Sequence, residues 1–131
     1  MKHLLLIISL FMMATFNLFG ADGDEIKVKA PRDIQRIYQA LMIGILDNDI
    51  DKFHSVCDAG MKSAITKLKL ASVNEAIGKL ITKESMGEYI GYYLKDGVEI
   101  HLYKLVQKTS SDDLVVFLSV KDNKCVGLLF Q

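Results

Sequence analysis

The residues of this sequence with the most evident chemical potential lie in a tyrosine-rich segment of its C-terminal half. His101 stands between Glu99 and Tyr103 at alternate positions, and Tyr92 precedes them. An imidazole among phenols and a carboxylate can act as a general base or can anchor a polar ligand. The same residue types are also common on a half-exposed or dimer-forming sheet face. The structural role is favoured, and Tyr92, His101 and Tyr103 are the candidate catalytic and ligand-binding residues.

Two further polar residues adjoin apolar helical stripes. Tyr38 can project into a ligand pocket, or it can lie at the edge of the core with its hydroxyl in water, which is the favoured interpretation. His54 can contribute to a site at the mouth of a pocket, but a surface or boundary histidine is the favoured interpretation. Because neither His54 nor His101 has a Cys or Asp at ligand spacing, no metal site is expected. We find no phosphate-binding loop, nucleophile elbow or haem motif, so no cofactor is expected either.

Cys57 and Cys125 are the only two cysteines of the chain. In an oxidising compartment such a pair can form a disulfide, which would join the second helical segment to the last strand. Both positions also match a core-facing pattern, where a free cysteine behaves as a small apolar residue. Two separately buried thiols are the favoured interpretation, and the Cys57–Cys125 disulfide is the alternative. Neither residue has a basic neighbour that would activate it as a nucleophile.

The segment from residue 87 to residue 131 predicts a four-stranded antiparallel meander. Its alternating apolar runs place the strands at Glu88–Lys95, Val98–Lys108, Leu114–Lys121 and Lys124–Gln131. The segment before it predicts helices only. Because the helices precede the strands and do not alternate with them, the expected class is α+β, with N-terminal helices packed on a curved, cone-like sheet.

Asp96-Gly97 predicts the first hairpin, because a type I′ turn needs positive φ at both central positions. Gly91 in mid-strand predicts a bulge or a bend. The turn sets a register in which side chains alternate between two faces. One face carries Tyr93, Ile100 and Leu102, and the other carries Ile90, Tyr92, Leu94, Glu99, His101 and Tyr103.

Asp122-Asn123 predicts the second hairpin. The resulting register pairs Val120 with Cys125, Leu118 with Gly127 and Val116 with Leu129. Both faces of this hairpin are apolar, which is typical of strands buried on both sides or of a sheet that meets a partner. A homodimer through the sheet is the simplest such partner.

Three helical segments are predicted before the sheet. Pro31 suits the first turn of a helix over Arg32–Leu46, whose apolar residues recur at helical spacing. Asp49 can cap a second helical face that continues to about residue 69, with Gly60 as a weak point where it can divide into two short helices. Residues 72–75 match a capping box, Ser-Val-Asn-Glu, that would open a third helix.

The N-terminus has the pattern of an export signal. Residues 1–21 combine a short basic start, an apolar run and small residues, so they are predicted to be a signal peptide, with an uncleaved anchor as the alternative. Residues 22–31 are predicted to be a flexible segment and residues 32–131 a single domain.

The 16 basic and 16 acidic side chains of the chain leave no excess of positive charge to bind nucleic acid. The expected location is therefore periplasmic or secreted, with no stable membrane span after cleavage.

The order of elements resembles the nuclear transport factor 2-like superfamily, specifically its small exported domains of unknown function. The resemblance covers residues 32–131 through loose hydrophobic patterns in the helix and acidic exit of residues 40–53, the short helices 61–68 and 73–81, and the paired ending 116–130. It implies a cone-shaped α+β fold with a pocket at its open end and frequent dimers through the sheet. The family's isomerases use a pocket carboxylate base, and no matching Asp lies in a strand here.

The function expected from the sequence is binding and not catalysis. A small exported domain would take a small apolar or amphipathic ligand in the cone, near Tyr38, Tyr92, His101 and Tyr103, or would bind a protein through its sheet. The alternative is a small-molecule isomerase, dehydratase or hydrolase that uses His101 and the tyrosines. A purely structural role, with a filled cone, is the third interpretation.

Overall fold

The computed structural model describes residues 28–107 and 112–131 and has an α+β fold, as predicted. The predicted signal peptide and most of the predicted flexible segment lie outside these residues. The helices are α1 (Arg32–Leu46), α2 (Ile50–His54), α3 (Ala59–Ala64) and α4 (Lys67–Gly78). The strands are β1 (Glu88–Lys95), β2 (Val98–Val106), β3 (Asp113–Lys121) and β4 (Lys124–Phe130).

Helix α1 has the bounds that the sequence predicted, and Pro31 immediately precedes it. Its apolar residues fall at helical spacing and are buried: Ile34, Ile37, Tyr38, Leu41, Met42 and Ile45. Each fully buried aliphatic side chain contributes about 1.5–3 kcal/mol, so this stripe is the main helical contribution to the core. Asn74 of α4 closes the end of α1 by donating from Nδ2 to the carbonyl oxygens of Ile45 at 2.7 Å and Leu46 at 3.1 Å.

The second helical segment is divided, but not at Gly60. Asp49 caps α2 as predicted, since its Oδ1 accepts from the Lys52 backbone N–H at 3.1 Å. Asp58 caps α3 in the same way, accepting from the Met61 N–H at 2.8 Å. Between the two helices the backbone leaves helical geometry and pairs with β4, so the prediction of one face continuing to residue 69 is wrong.

Helix α4 begins earlier than the sequence predicted. Its cap is Thr66, whose Oγ1 accepts from the Lys69 N–H at 3.3 Å. The expected capping box is wrong, because Ser72 lies inside the helix and donates from Oγ to the Leu68 carbonyl at 3.2 Å. The early start also places Leu68 on the outside of the helix, where 83% of it is exposed.

The sheet has the strand order β1-β2-β3-β4, and each neighbouring pair is antiparallel. Both predicted two-residue turns are present. Asp96 and Gly97 have φ of 53° and 77°, and Asp122 and Asn123 have φ of 50° and 60°. The predicted strand bounds hold for β1 and are one residue different at the start of β3 and the end of β4. Strand β2 ends at Val106, and Lys108 lies outside the described residues.

Two irregularities change the predicted registers. The first hairpin pairs as predicted up to Gly91 opposite Leu102, and a bulge at Gly91 is confirmed. That bulge places Tyr89, and not Ile90, opposite Tyr103.

In the second hairpin only the pairing of Val120 with Cys125 matches the prediction. The register shifts between Ser119 and Val120, so Leu118 lies opposite Leu128 and Val116 opposite Phe130. The expected partners Gly127 and Leu129 are therefore wrong. At this shift β4 has one residue more than β3. The extra residue restores the alternation of side chains, so that the large apolar side chains of both strands lie on the core-facing side.

The two faces of the sheet have different surroundings. The inner face packs against α1 and carries Tyr103, Leu105, Val116 and Leu118 in the hydrophobic core. The outer face is defined here as the side chains of Tyr93, Ile100, Leu102, Val115, Phe117 and Leu129, none of which belongs to that core. Over residues 28–107 and 112–131, the helices are all too short or too polar to cross a bilayer.

Candidate functional site

The inner face gathers the tyrosine and histidine residues singled out in the sequence. The Tyr38 ring of α1 lies parallel to the Tyr103 ring of β2, with centroids 3.5 Å apart. Tyr89 meets Tyr103 edge-on at 5.2 Å, and Tyr92 stacks on His101 at 5.2 Å. The candidate residues therefore form one connected cluster that includes Tyr89 and has Tyr92, which is 57% exposed, at its outer edge.

The stacked pair of tyrosines is anchored at both hydroxyls. Tyr38 donates to the Met86 carbonyl, and Tyr103 donates to Gln35 Oε1 at 2.9 Å. Both side chains are buried, so the interpretation of a Tyr38 hydroxyl in water is wrong. Burial raises the pKa of Tyr38 and of Tyr103 well above the ordinary value. These hydroxyls stay protonated, and their role is to hold α1 against β2.

His101 is the buried polar side chain of the cluster, with 1% of its surface exposed. Its Nδ1 lies 2.9 Å from the Tyr89 hydroxyl. Its Nε2 points toward Glu99, but the 3.7 Å to Oε2 is too long for a hydrogen bond. Among the described residues Nε2 has no hydrogen-bond partner.

Burial decides the charge of His101. It lowers the pKa of the imidazole, and the carboxylate of Glu99 opposes this only in part. Burial, with the neighbouring Tyr92 and Glu99, raises the pKa of Tyr89 to about 12. A protonated Tyr89 hydroxyl donates to a neutral imidazole, so Nδ1 accepts and the proton lies on Nε2, facing Glu99.

Acidification is expected to destabilise the protein through His101. Because its folded pKa lies below the unfolded value of about 6.5, the unfolded chain takes up a proton first as pH falls. The stabilisation is complete above about pH 6.5 and is lost as pH falls through that value toward the folded pKa. Denaturant unfolding between pH 7.5 and pH 5 should therefore show a steeper loss in wild type than in His101→Gln.

The control for this pH series is His54→Gln. His54 Nε2 lies 2.7 Å from the Ile65 carbonyl oxygen at the surface end of α3. Among the described residues, Tyr89, Tyr92 and Glu99 are the titratable groups that face His101. The variant Glu99→Gln separates the contribution of Glu99 to the pH dependence from that of His101. Equal pH slopes in wild type and His101→Gln would contradict the assignment to His101.

An open cleft of about 590 Å³ lies beside this cluster. Its walls are the start of α1, with Asp33 and Ile34, and the two hairpin ends, with Glu99 and residues 120–123. Glu99 belongs both to the cleft wall and to the surroundings of His101, so it links the buried imidazole to the solvent. An open cleft with polar and apolar walls therefore lies next to the predicted residues, at the end of the sheet where both turns lie.

The remaining candidates take structural positions. His54 is bound to the backbone, as described above. Cys57 and Cys125 are buried free thiols. Over residues 28–107 and 112–131, no group of three or more His, Cys, Asp or Glu side chains is arranged to hold a metal ion.

Sequence reasoning missed Tyr89 and the cleft. The predicted bulge at Gly91 was the signal that could have identified Tyr89. A bulge there shifts the register of every earlier residue of β1 by one position, which places Tyr89 opposite Tyr103. The cleft wall at the start of α1 precedes the two hairpin ends by about 60 to 90 positions, and no local pattern brings them together.

Comparison with known proteins adds no relative. No family model, no curated protein and no solved structure matches this chain.

Proposed function

We propose that this domain is an exported, non-enzymatic binding domain that takes a small amphipathic cation in the cleft beside Glu99. The observation that carries the proposal is the unpartnered Nε2 of His101, buried and aimed at a carboxylate of the cleft wall. Buried polar atoms without a partner are rare and call for a functional explanation. A cation bound to one carboxylate oxygen of Glu99 would leave the other oxygen to accept from the Nε2 N–H of His101.

The charge of the cleft favours a cation. Among the described residues, Asp33, Glu99 and Asp122 contribute carboxylates to its walls, whereas Lys121 contributes an ammonium group. Ile34 and Val120 also line the cleft, but they are 5% and 3% exposed, so its apolar surface is small. Clefts of roughly 300–1,000 Å³ with a few polar groups are typical of small-molecule sites, and this cleft lies within that range.

The burial of His101 argues against the catalytic alternative. A general base must come within hydrogen-bond reach of the proton that it removes. In this protein the Tyr89 hydroxyl bonds Nδ1 of His101, and the Tyr92 ring stacks on the imidazole. The Glu99 carboxylate lies on the Nε2 side. A substrate of an isomerase, dehydratase or hydrolase would have to displace Glu99 first, so the imidazole supports the carboxylate and does not face a substrate.

Binding can be tested with hexylammonium as the probe and with hexanol and hexanoate as its neutral and anionic counterparts. We expect hexylammonium to shift the amide NMR resonances of Asp33, Gly97 and Glu99 selectively. Glu99→Gln should weaken binding by about tenfold, which is the size of one charge-assisted contact of ~1.4 kcal/mol.

The control variant is Glu75→Gln, which removes an exposed carboxylate on α4, away from the cleft. It should bind hexylammonium like wild type. Equal binding of all three probes, or equal effects of the two variants, would contradict a cation site at Glu99.

A homodimer through the outer face is a second candidate function. Tyr93 and Leu129 on this face are 37% and 49% exposed, and its apolar side chains lie outside the core shared with the helices. A two-fold dimer would bring the same patch of two copies together. Light scattering should show a dimer for wild type and a monomer for Leu129→Glu, with Leu68→Glu on α4 as the exposed-leucine control. A wild-type monomer at high concentration would exclude it.

The family and location remain parts of the proposal. Membership of the nuclear transport factor 2-like superfamily is supported by helices that precede a meander and pack on its inner face. Export is supported by the pattern of residues 1–21. Mass spectrometry of the mature protein from its native host tests the export: a chain that retains residues 1–21 would contradict signal cleavage.

A further inference from the structure

The two cysteines lie directly opposite each other, although they are distant in the sequence. Cys57 and Cys125 form an isolated parallel bridge between the α2–α3 connection and β4. Two backbone hydrogen bonds hold it: the Cys125 N–H donates to the Val56 carbonyl at 2.8 Å, and the Asp58 N–H donates to the Cys125 carbonyl at 3.0 Å. Paired residues of neighbouring strands lie roughly 4.7–4.9 Å apart and direct their side chains to the same face.

The thiols are also placed for contact. Both are buried, with 1% of Cys57 and 0% of Cys125 exposed. Cys57 Sγ donates to the Phe53 carbonyl at 3.1 Å, and Cys125 Sγ lies 3.5 Å from the Gly127 carbonyl. Interaction with the Cys125 thiol lowers the pKa of the Cys57 thiol, whereas interaction with Cys57 and burial raise the pKa of Cys125. Cys57 is therefore the first of the pair to form a thiolate.

We propose that Cys57 and Cys125 are a disulfide-forming pair that covalently joins the α2–α3 connection to β4. A Cα separation near the strand spacing lies within the roughly 4.4–6.8 Å that disulfides span. The backbone bridge already holds both residues in place, so closing the bond needs side-chain rotation more than backbone movement. Neither cysteine lines the cleft of the proposed ligand site.

The oxidant is a small-molecule disulfide. The Cys57 thiol loses its proton to solvent, and its sulfur attacks one sulfur of the donor, whose S–S bond breaks and releases one thiolate. Cys125 then loses its proton and attacks Cys57 Sγ, which releases the second donor thiolate. The two protein thiols lose two electrons in total and the donor gains two. Because both thiols are buried, the first step requires local opening of the short segment between α2 and α3.

The experiment incubates the folded, reduced protein with oxidised glutathione and then titrates thiols after denaturation without reductant. We expect no free thiol and a proteolytic fragment that links Cys57 to Cys125. Because the bond closes a long loop, the oxidised protein should also unfold at a temperature higher by on the order of 10 °C than the reduced one.

Three variants serve as controls: Cys57→Ala, Cys125→Ala and the double substitution. Each single variant can take up one glutathione but gain no thermal stability, and the double variant should be unaffected by the oxidant. Two free thiols in wild type after prolonged oxidation would overturn the proposal. Glutathione adducts on both cysteines, or equal unfolding temperatures of the oxidised and reduced wild type, would overturn it as well.

Discussion

Replacing Tyr103 by alanine is expected to lower the free energy of unfolding by about 3–5 kcal/mol. The ring stacks on Tyr38 and is met edge-on by Tyr89, and its hydroxyl donates to Gln35. It is 1% exposed and lies where α1 crosses the sheet, so its removal leaves a cavity that rigid neighbours on both sides cannot fill. Equilibrium denaturation in urea, followed by circular dichroism, measures the loss.

Two companion variants divide this effect into its parts. Tyr103→Phe keeps the ring and removes only the hydroxyl, so we expect a loss of about 1–2 kcal/mol from the unsatisfied Gln35 acceptor. Tyr93→Ala removes a ring of the same type from the outer face, which should cost about 1 kcal/mol or less because that ring is partly exposed. A Tyr103→Ala variant as stable as Tyr93→Ala would mean that the helix does not depend on this contact.

Gly87→Ala is expected to destabilise the fold by about 3 kcal/mol. Gly87 has φ of 120°, a conformation that L side chains rarely adopt. A Cβ there would lie 2.8 Å from the Tyr38 hydroxyl oxygen and 2.9 Å from Leu105 Cδ2. Gly87 follows Met86, whose carbonyl accepts from Tyr38, so the glycine lets the chain approach α1 before it enters β1.

Gly78→Ala is the matched control for this substitution. Gly78 ends α4, and a Cβ there would meet nothing within 4 Å. Alanine is a better helix former than glycine, so this variant should be as stable as wild type or more stable by up to about 1 kcal/mol. Thermal unfolding of both variants checks the pair, and a Gly87→Ala variant that unfolds like Gly78→Ala would contradict the close approach.

Local chemistry explains what the sequence could predict. Helix α1 combines a proline before its first turn with a continuous apolar stripe, and both features act within a few residues. The pairs Asp96-Gly97 and Asp122-Asn123 adopt positive φ readily, so the two hairpins follow from their turns alone. The helices-first order then leaves an α+β fold as the simple outcome.

Competition between local signals explains the errors in the helices. Thr66 and Ser72 are both suitable caps, and the capping-box pattern favoured the second. In the structure Thr66 is the cap, because an earlier start lets Leu70 and Ile77 reach the core and lets Asn74 close the end of α1. Only tertiary packing distinguishes the two starts.

Long-range contacts explain what was missed at the site. The sequence indicated His101, Tyr103 and Tyr92 but left open whether they face solvent or the helix. The burial of His101 and Tyr103 depends on α1 crossing that face of the sheet, which no spacing within β2 reveals, whereas Tyr92 stays 57% exposed. The pairing of Tyr89 with Tyr103 depends on a bulge, because a shift of one residue reverses the face of every side chain beyond it.

The bridge between residues 57 and 125 has a consequence for the order in which the chain folds. Contacts between residues far apart in sequence form slowly, because the intervening chain must first lose its freedom. The α2–α3 connection can complete its backbone hydrogen bonds only after the last strand has been synthesised and added to β3. The helical half should therefore remain a loose collapsed state until β4 has paired with β3, and the final cooperative step should coincide with that pairing.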